Sequence, residues 1–192
     1  VDRAQLQPGE WLAIHGCGGV GLSAVMIAAA LGAQILAIDV NDEALAMART
    51  LGANVTLNPN AVVDVGMAIR ELTGGGAHVS IDALGITATF HNSIRGLRKL
   101  GRHVQIGQPL ERHANPTIPL LETVYSRQIS IMGTRGIAAS RFSALLGMIA
   151  GGRLDPARMI TRRIGLSESG DALAAMNGYS GVGVTVIDNL AG

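Results

Sequence analysis

The chain has 192 residues, of which 48% are hydrophobic and 15% charged, and its formal net charge is +1. That is a globular composition with one sizeable core, without the basic field of a nucleic-acid binder or an acidic tail. Aromatics at 3% leave no base-stacking platform, and a single cysteine, Cys17, excludes an intrachain disulfide and a cysteine-rich zinc module.

One cysteine and no signal-peptide pattern fit a reducing, cytoplasmic setting. Residues 20–38 are apolar enough to raise the question of a membrane span, but Gly32-Ala33 splits them into a helix-sized and a strand-sized piece. Neither piece reaches the ~20 apolar residues a span needs. A helix apolar on every side between two apolar strands belongs in a protein core.

In chain order, Trp11 to His15 reads as a short apolar strand. Gly16-Cys17-Gly18-Gly19-Val20-Gly21 follows, and then an uncharged apolar helix from Val20 to Leu31. Strand, glycine turn and helix form the context in which GxGxxG points to a dinucleotide. Gly16 permits the tight turn, Gly18 lets backbone approach a pyrophosphate, and Gly21 lets helix pack on strand. The phosphates would lie at the helix N-terminus, where free N–H groups and the dipole favour an anion.

Gln34 to Ile38 reads as a second buried strand ending at Asp39, 18 residues past Gly21. An acid at that place can accept hydrogen bonds from the adenosine ribose and would repel a 2′-phosphate. Val40-Asn41-Asp42-Glu43 supplies no Lys or Arg, so the expectation is NAD(H) rather than NADP(H). The competing role for Asp39 is to cap the helix that begins near Asn41.

Alternation continues with a helix over 42–51, a strand at 55–57, a helix over 63–72 with Val65, Ala68, Ile69 and Leu72 on one face, and a strand at 79–84. Thr87 is expected to cap a helix running to Leu97, with Arg98 and Lys99 in its last turn. Strands follow at 103–106 and, after a connection bearing Pro109, Pro116 and Pro119, at 129–132, then a helix over 140–149. Met26, Met47, Met67 and Met148 fall on apolar helix faces and are expected in the core. The whole reads as an α/β Rossmann-type, doubly wound six-stranded parallel sheet in three αβα layers, order 3-2-1-4-5-6. Residues 1–154 would form this domain, and 155–192 a C-terminal tail with a short helix over 167–176 and a strand at 182–187. The tail's apolar positions must cover something, and the sheet does not require it.

These residues resemble the medium-chain dehydrogenase/reductase family in its zinc-dependent alcohol dehydrogenase branch. The likeness is carried by Gln7-Pro8-Gly9-Glu10, GCGGVG, Leu31-Gly32-Ala33, Asp39, Leu51-Gly52-Ala53, Asp82-Ala83-Leu84-Gly85 and Gly101-Arg102 before His103-Val104-Gln105-Ile106-Gly107. It implies an oxidoreductase moving hydride between NAD(H) and an alcohol or its carbonyl compound. It further implies a preceding catalytic domain that holds zinc, with no metal bound by this chain and no catalytic residue in it. At matching positions it implies that Gly16, Gly18, Gly19, Val20 and Gly21 form the pyrophosphate turn. Asp39, Val40 and Asn41 would meet the adenosine. Ala83, Leu84, Gly85, Ile106, Gly107 and Thr134 would line the way to the nicotinamide. Ala44 stands where a lysine often supports the ribose, and Gly183 nearest to an arginine that binds phosphate in some members. The resemblance also implies homo-oligomers through the edge strand at 129–134. A zinc-independent quinone reductase, a stand-alone NAD-binding module and a Rossmann-like methyltransferase are the other readings of the same glycine turn.

The remaining chemistry-bearing residues form no motif. His15, His78, His91, His103 and His113 lack metal-ligand spacing. Cys17, near a helix N-terminus, stands where a thiol pKa can fall, although a small turn residue suffices there. Asp82, at the end of an inner strand, is placed to line the cofactor cleft. Arg162-Arg163 reads as a solvated pair.

Overall fold

The structure is a computed structural model that describes residues 1–176 and 181–190. Six parallel strands form the main sheet: β1 (Trp11–His15), β2 (Gln34–Ile38), β3 (Val55–Leu57), β4 (Ala77–Asp82), β5 (Leu97–Gln105) and β6 (Ser130–Gly133). Their order is β3-β2-β1-β4-β5-β6, as expected, and β6 is an edge. The crossovers carry α1 (Gly19–Ala30), α2 (Asp42–Thr50), α3 (Val65–Leu72) and α4 (Thr87–Arg95), and α5 (Phe142–Ala150) follows β6. The strand order reverses between β1 and β4, which opens a crevice at their carboxyl ends.

Strand period explains the two-sided core. Leu12, Ile14, Ile35, Val79, Ile81 and Val104 pack with α1 residues Leu22 and Val25 on one face. Ala13, Leu36, Ile38, Leu97 and α3–α4 residues Ile69 and Ile94 pack on the other. Each fully buried Leu or Ile contributes about 1.5–3 kcal/mol relative to its exposed state. α1 is apolar all round because the sheet lies on one side while Leu154 and Met159, beyond α5, join the cluster on the other. The helix starts are specified locally: Asn41 accepts from the Glu43 and Ala44 amides, and Asp64 from that of Met67.

Several expectations are corrected. The helix begun at Thr87 ends at Arg95, and Arg98 and Lys99 belong to β5. Gly96 explains this, since a Cβ there would stand 2.8 Å from Ile69 side-chain carbons, so the chain turns where it touches α3. Thr87 does not cap α4; the cap position is Ile86, and the Thr87 amide donates to His113 Nδ1 at 3.2 Å. Met67 is exposed rather than core because it points away from the stripe of Val65, Gly66 and Ile69 that α3 buries, and Leu72 is exposed at the last residue of the helix. A π-helical turn, Leu120–Tyr125, lies in the proline-bearing connection where no element was expected.

In the tail, β7 (Ile160–Gly165) and β8 (Val184–Asn189) form a separate two-stranded parallel sheet, with α6 (Ser169–Met176) between them. The expected final strand starts at Val184 rather than Val182. α5 and α6 leave Phe142, Leu146, Ile149, Leu173 and Met176 exposed. No helix among the described residues is long and apolar enough to cross a membrane.

Candidate functional site

The glycine turn lies at the carboxyl end of β1. Gly16 has φ +92°, a backbone conformation that favours glycine. A Cβ on Gly21 would overlap the Gly16 carbonyl oxygen and lie 2.9 Å from its carbon, so α1 rests directly on the turn. Gly18 differs, because a Cβ there would have nothing within 4 Å. Its backbone faces open space at the N-cap of α1, which has no side-chain cap. Gly19 and the exposed Val20 open the helix. Unclaimed amides at a helix start, beside a backbone cleared of side chains, can take an anion.

Asp39 is tied to this turn. One carboxylate oxygen accepts from the Cys17 amide at 2.6 Å and the other from the Asn41 amide at 2.9 Å. Asn41 caps α2, so Asp39 is not the helix cap. A carboxylate offers about four acceptor sites, and two of these remain available for hydroxyl donors. Val40 is exposed beside it. Cys17 is the small turn residue that the motif needs: its side chain is buried, and burial together with the Asp39 charge pushes its thiol up to about 12. Its position near a helix start does not activate it, because the side chain points into the core rather than toward the free amides.

The loops after β4 and β5 meet in backbone contact. Gly85 has φ +81°, and a Cβ on it would come within 2.6 Å of the Gln108 carbonyl oxygen. A Cβ on Gly107 would come within 2.6 Å of the Leu84 amide. Asp82 joins them: its carbonyl accepts from the Ile106 and Gly107 amides at 2.9 and 2.8 Å. Its buried carboxylate accepts from the Leu84 and Gly85 amides at 2.9 and 3.0 Å and from Gln105 Nε2 at 3.1 Å. Asp82 therefore lies beneath the crevice and organises its floor. Ala83 donates to the His15 carbonyl, and Thr134 to that of Gln105. Leu84 is exposed, and a Cβ on Gly16 would meet its Cγ at 2.6 Å, so the β4 loop reaches the glycine turn. The expected positions thus gather at one end of the sheet, in loops after β1, β2, β4, β5 and β6.

Sequence reasoning missed Gln105, which meets Asp82 of β4, and the role of His103, which meets Ser93 of α4. It also understated His15, which is fully buried, with burial pushing its pKa down to about 4. Its Nε2 has no hydrogen-bond partner among the described residues. The tail also reaches the turn, because a Cβ on Gly19 would lie 3.5 Å from Val184. Gly183 beside it has φ +76°, and a Cβ would crowd Thr161 at 2.6 Å. That backbone excludes an arginine at 183 without rearrangement.

A cleft of about 420 Å³ lies at the opposite, amino end of the strands, lined by Glu10, His78, Arg98, Lys99, Leu100 and Arg102. It lacks a helix start and the glycine turn, so its size does not make it the nucleotide site. Among the described residues no three of His, Cys, Asp and Glu are grouped to hold a metal ion.

Comparison with known proteins agrees with this geometry. Residues 19–151 match the model of the family described as zinc-binding dehydrogenase. An alcohol dehydrogenase of Geobacillus stearothermophilus is 37% identical over 132 residues, 67% of this chain and 38% of that protein. An NAD-dependent alcohol dehydrogenase of Sulfurisphaera tokodaii is 31% identical over 192 residues, covering 97% of this chain and 53% of the relative. The solved alcohol dehydrogenase of Thermus sp. ATN1 superimposes with a TM-score of 0.84 at 28% identity, over 97% of this chain and 53% of that one. The chain thus spans about half, or less, of the length of the relatives it matches. With a family model covering more than half of its residues, and with these relatives, the chain belongs to the zinc-binding dehydrogenase family.

Proposed function

We propose that this chain is the nucleotide-binding portion of an NAD-dependent alcohol dehydrogenase. On this reading residues 1–154 hold NAD(H), and residues 155–192 return toward a zinc-bearing catalytic domain that lies outside the chain. The observation that carries the reading is the contrast between Gly21, whose hydrogen is packed on the Gly16 carbonyl, and Gly18, which faces open space beside unclaimed helix-start amides. The pyrophosphate would bind at Gly18, Gly19, Val20 and Gly21. The spare acceptor sites of Asp39 would take the adenosine ribose hydroxyls, with Val40 and Asn41 along the adenine. The nicotinamide would lie toward Ala83, Leu84, Gly85, Ile106, Gly107 and Thr134.

When bound, NAD supplies the hydride acceptor and zinc a Lewis acid for the substrate oxygen. The chain's own part is to bind the dinucleotide, fix its orientation and present the reacting ring to the other domain. Self-association along β6, at the open edge of the sheet, and a cytoplasmic location belong to the same proposal. Calorimetric titration of the chain with NADH and NADPH tests it. Saturable NADH binding with much weaker NADPH binding is expected, and equal affinity for both, or none for NADH, would overturn it.

A further inference from the structure

A buried polar chain runs across the sheet beneath the crevice, and its proton directions are fixed by geometry. Gln105 has one amide terminus within 3.1 Å of Asp82 Oδ2 and 2.8 Å of the Gly107 carbonyl. Both are acceptors, so that terminus must be the NH₂ group. The other terminus is then the oxygen, 3.1 Å from His103 Nε2. An oxygen there requires His103 to carry its proton on Nε2, which leaves Nδ1 as an acceptor. Ser93 Oγ lies 2.8 Å from Nδ1 and must donate to it. Ser80 Oγ, 2.6 Å from Ser93 Oγ, then donates to Ser93. Ser80, Ser93 and His103 are buried, and the chain of donors ends on a carboxylate and on a loop carbonyl.

That carbonyl belongs to Gly107, whose backbone is locked against Leu84 and Gly85. Asp82 receives Gln105 on one oxygen and the Leu84 and Gly85 amides on the other. Gln105 therefore ties the Gly107 carbonyl to the carboxylate that holds the Leu84 and Gly85 amides, and so links the two loops that border the nicotinamide end of the crevice. It also lines a cavity of about 60 Å³ with Gly85, Ile86 and Phe90. Phe90 packs edge-on against the His103 ring at 5.2 Å and keeps it in this orientation.

We infer that Gln105, oriented by His103, is a positioning residue that fixes the Leu84–Gly85 and Gly107 backbones for the nicotinamide half of the dinucleotide. This rests on the proposed NAD(H) reading. It separates the two halves of the ligand, because the adenosine and pyrophosphate would be held by Asp39 and the glycine turn, away from Gln105.

The test compares NADH with ADP-ribose, which lacks the nicotinamide, on the chain and on Gln105→Leu and Gln105→Glu. Leucine removes all three hydrogen bonds at similar volume. Glutamate keeps the acceptor for His103 but, when ionised, cannot donate to Asp82 or Gly107 and repels the Asp82 carboxylate, and when protonated can replace only one of the two donated bonds. Both variants are expected to bind NADH about tenfold more weakly, the equivalent of one lost hydrogen bond, with ADP-ribose affinity unchanged. Unchanged NADH affinity, or an equal loss for both ligands, would overturn the positioning role. Failure of the unsubstituted chain to bind either ligand would instead overturn the nucleotide reading beneath it. Should the variants not fold, the His103 tautomer in the unsubstituted chain decides, read from nitrogen-15 shifts. The Nε2–H form is expected, and the Nδ1–H form would refute the chain of donors.

Discussion

Substituting Gly18 and Gly21 by alanine in turn separates ligand binding from packing within one motif. At Gly18 a methyl group meets nothing within 4 Å, and the backbone, at φ −74° and ψ −171°, is open to alanine. Removing a glycine where alanine fits stabilises by about 0.4–1 kcal/mol through the unfolded chain. The folded protein should therefore lose nothing. The methyl would instead occupy the space through which a pyrophosphate reaches the helix-start amides. Losing one or two hydrogen bonds to a charged phosphate costs about 1.5–3 kcal/mol each, a factor of at least ten in NADH affinity. At Gly21 the methyl overlaps the Gly16 carbonyl, so α1 must lift from β1, with an overpacking cost of about 1–3 kcal/mol or more. Urea unfolding and NADH titration of both variants provide the assay. Gly18→Ala should keep its unfolding midpoint and lose affinity, whereas Gly21→Ala should lose stability. A Gly18→Ala protein that binds NADH like the parent would refute the placement of the phosphates.

Asp39→Asn removes the charge that would repel a 2′-phosphate and turns an amide group toward the Cys17 or Asn41 amide. The NADH-over-NADPH preference should fall about tenfold, by direct titration, and an unchanged preference would contradict the ribose role. His15 is neutral in the fold, with its pKa lowered from 6.5 to about 4 by burial. The unfolded chain then binds the extra proton between those values, so stability is full above pH 6.5 and declines as pH falls toward 4. The loss reaches about 3 kcal/mol at pH 4. His103 and His78 shift in the same direction, chiefly by burial, and steepen the decline. His15→Leu should flatten the slope in denaturant unfolding against pH, and an unaltered slope would refute this assignment. Cys17, buried with its thiol pushed up to about 12, should react with a thiol reagent at mildly alkaline pH only as fast as the chain opens. Rapid labelling of the native chain would contradict its burial.

The sheet was legible because strands buried on both faces and glycine-punctuated crossovers leave a local record. Gly16, Gly18, Gly21 and Asp39 were legible for the same reason, since their spacing follows from one strand–helix–strand unit. The end of α4 was not, because Thr87 to Lys99 keeps a helical pattern and the stop depends on Gly96 meeting Ile69 of another helix. Leu72 carries the right period but is the last residue of α3, whereas Met67 stands off the face of Val65, Ala68 and Ile69. The Ser80–Ser93–His103–Gln105–Asp82 chain left no trace in spacing. Its members come together through the β4–β5 register, which sets Ser80 beside His103 and Asp82 beside Gln105, and through the packing of α4, which brings Ser93 onto that pair. That Cys17 is a small turn residue is legible in the motif, whereas its raised thiol pKa is not, since that environment is set by Asp39 and Ile38, from the next strand.

The location of the dinucleotide is tested most directly by backbone amide shifts of the isotope-labelled chain during titration with NADH. The account predicts that the largest changes fall on Gly18 to Gly21, Asp39 to Asn41, Leu84, Gly85, Ile106 and Gly107. Changes centred instead on His78, Arg98 and Arg102, in the cleft at the opposite end of the sheet, would contradict it.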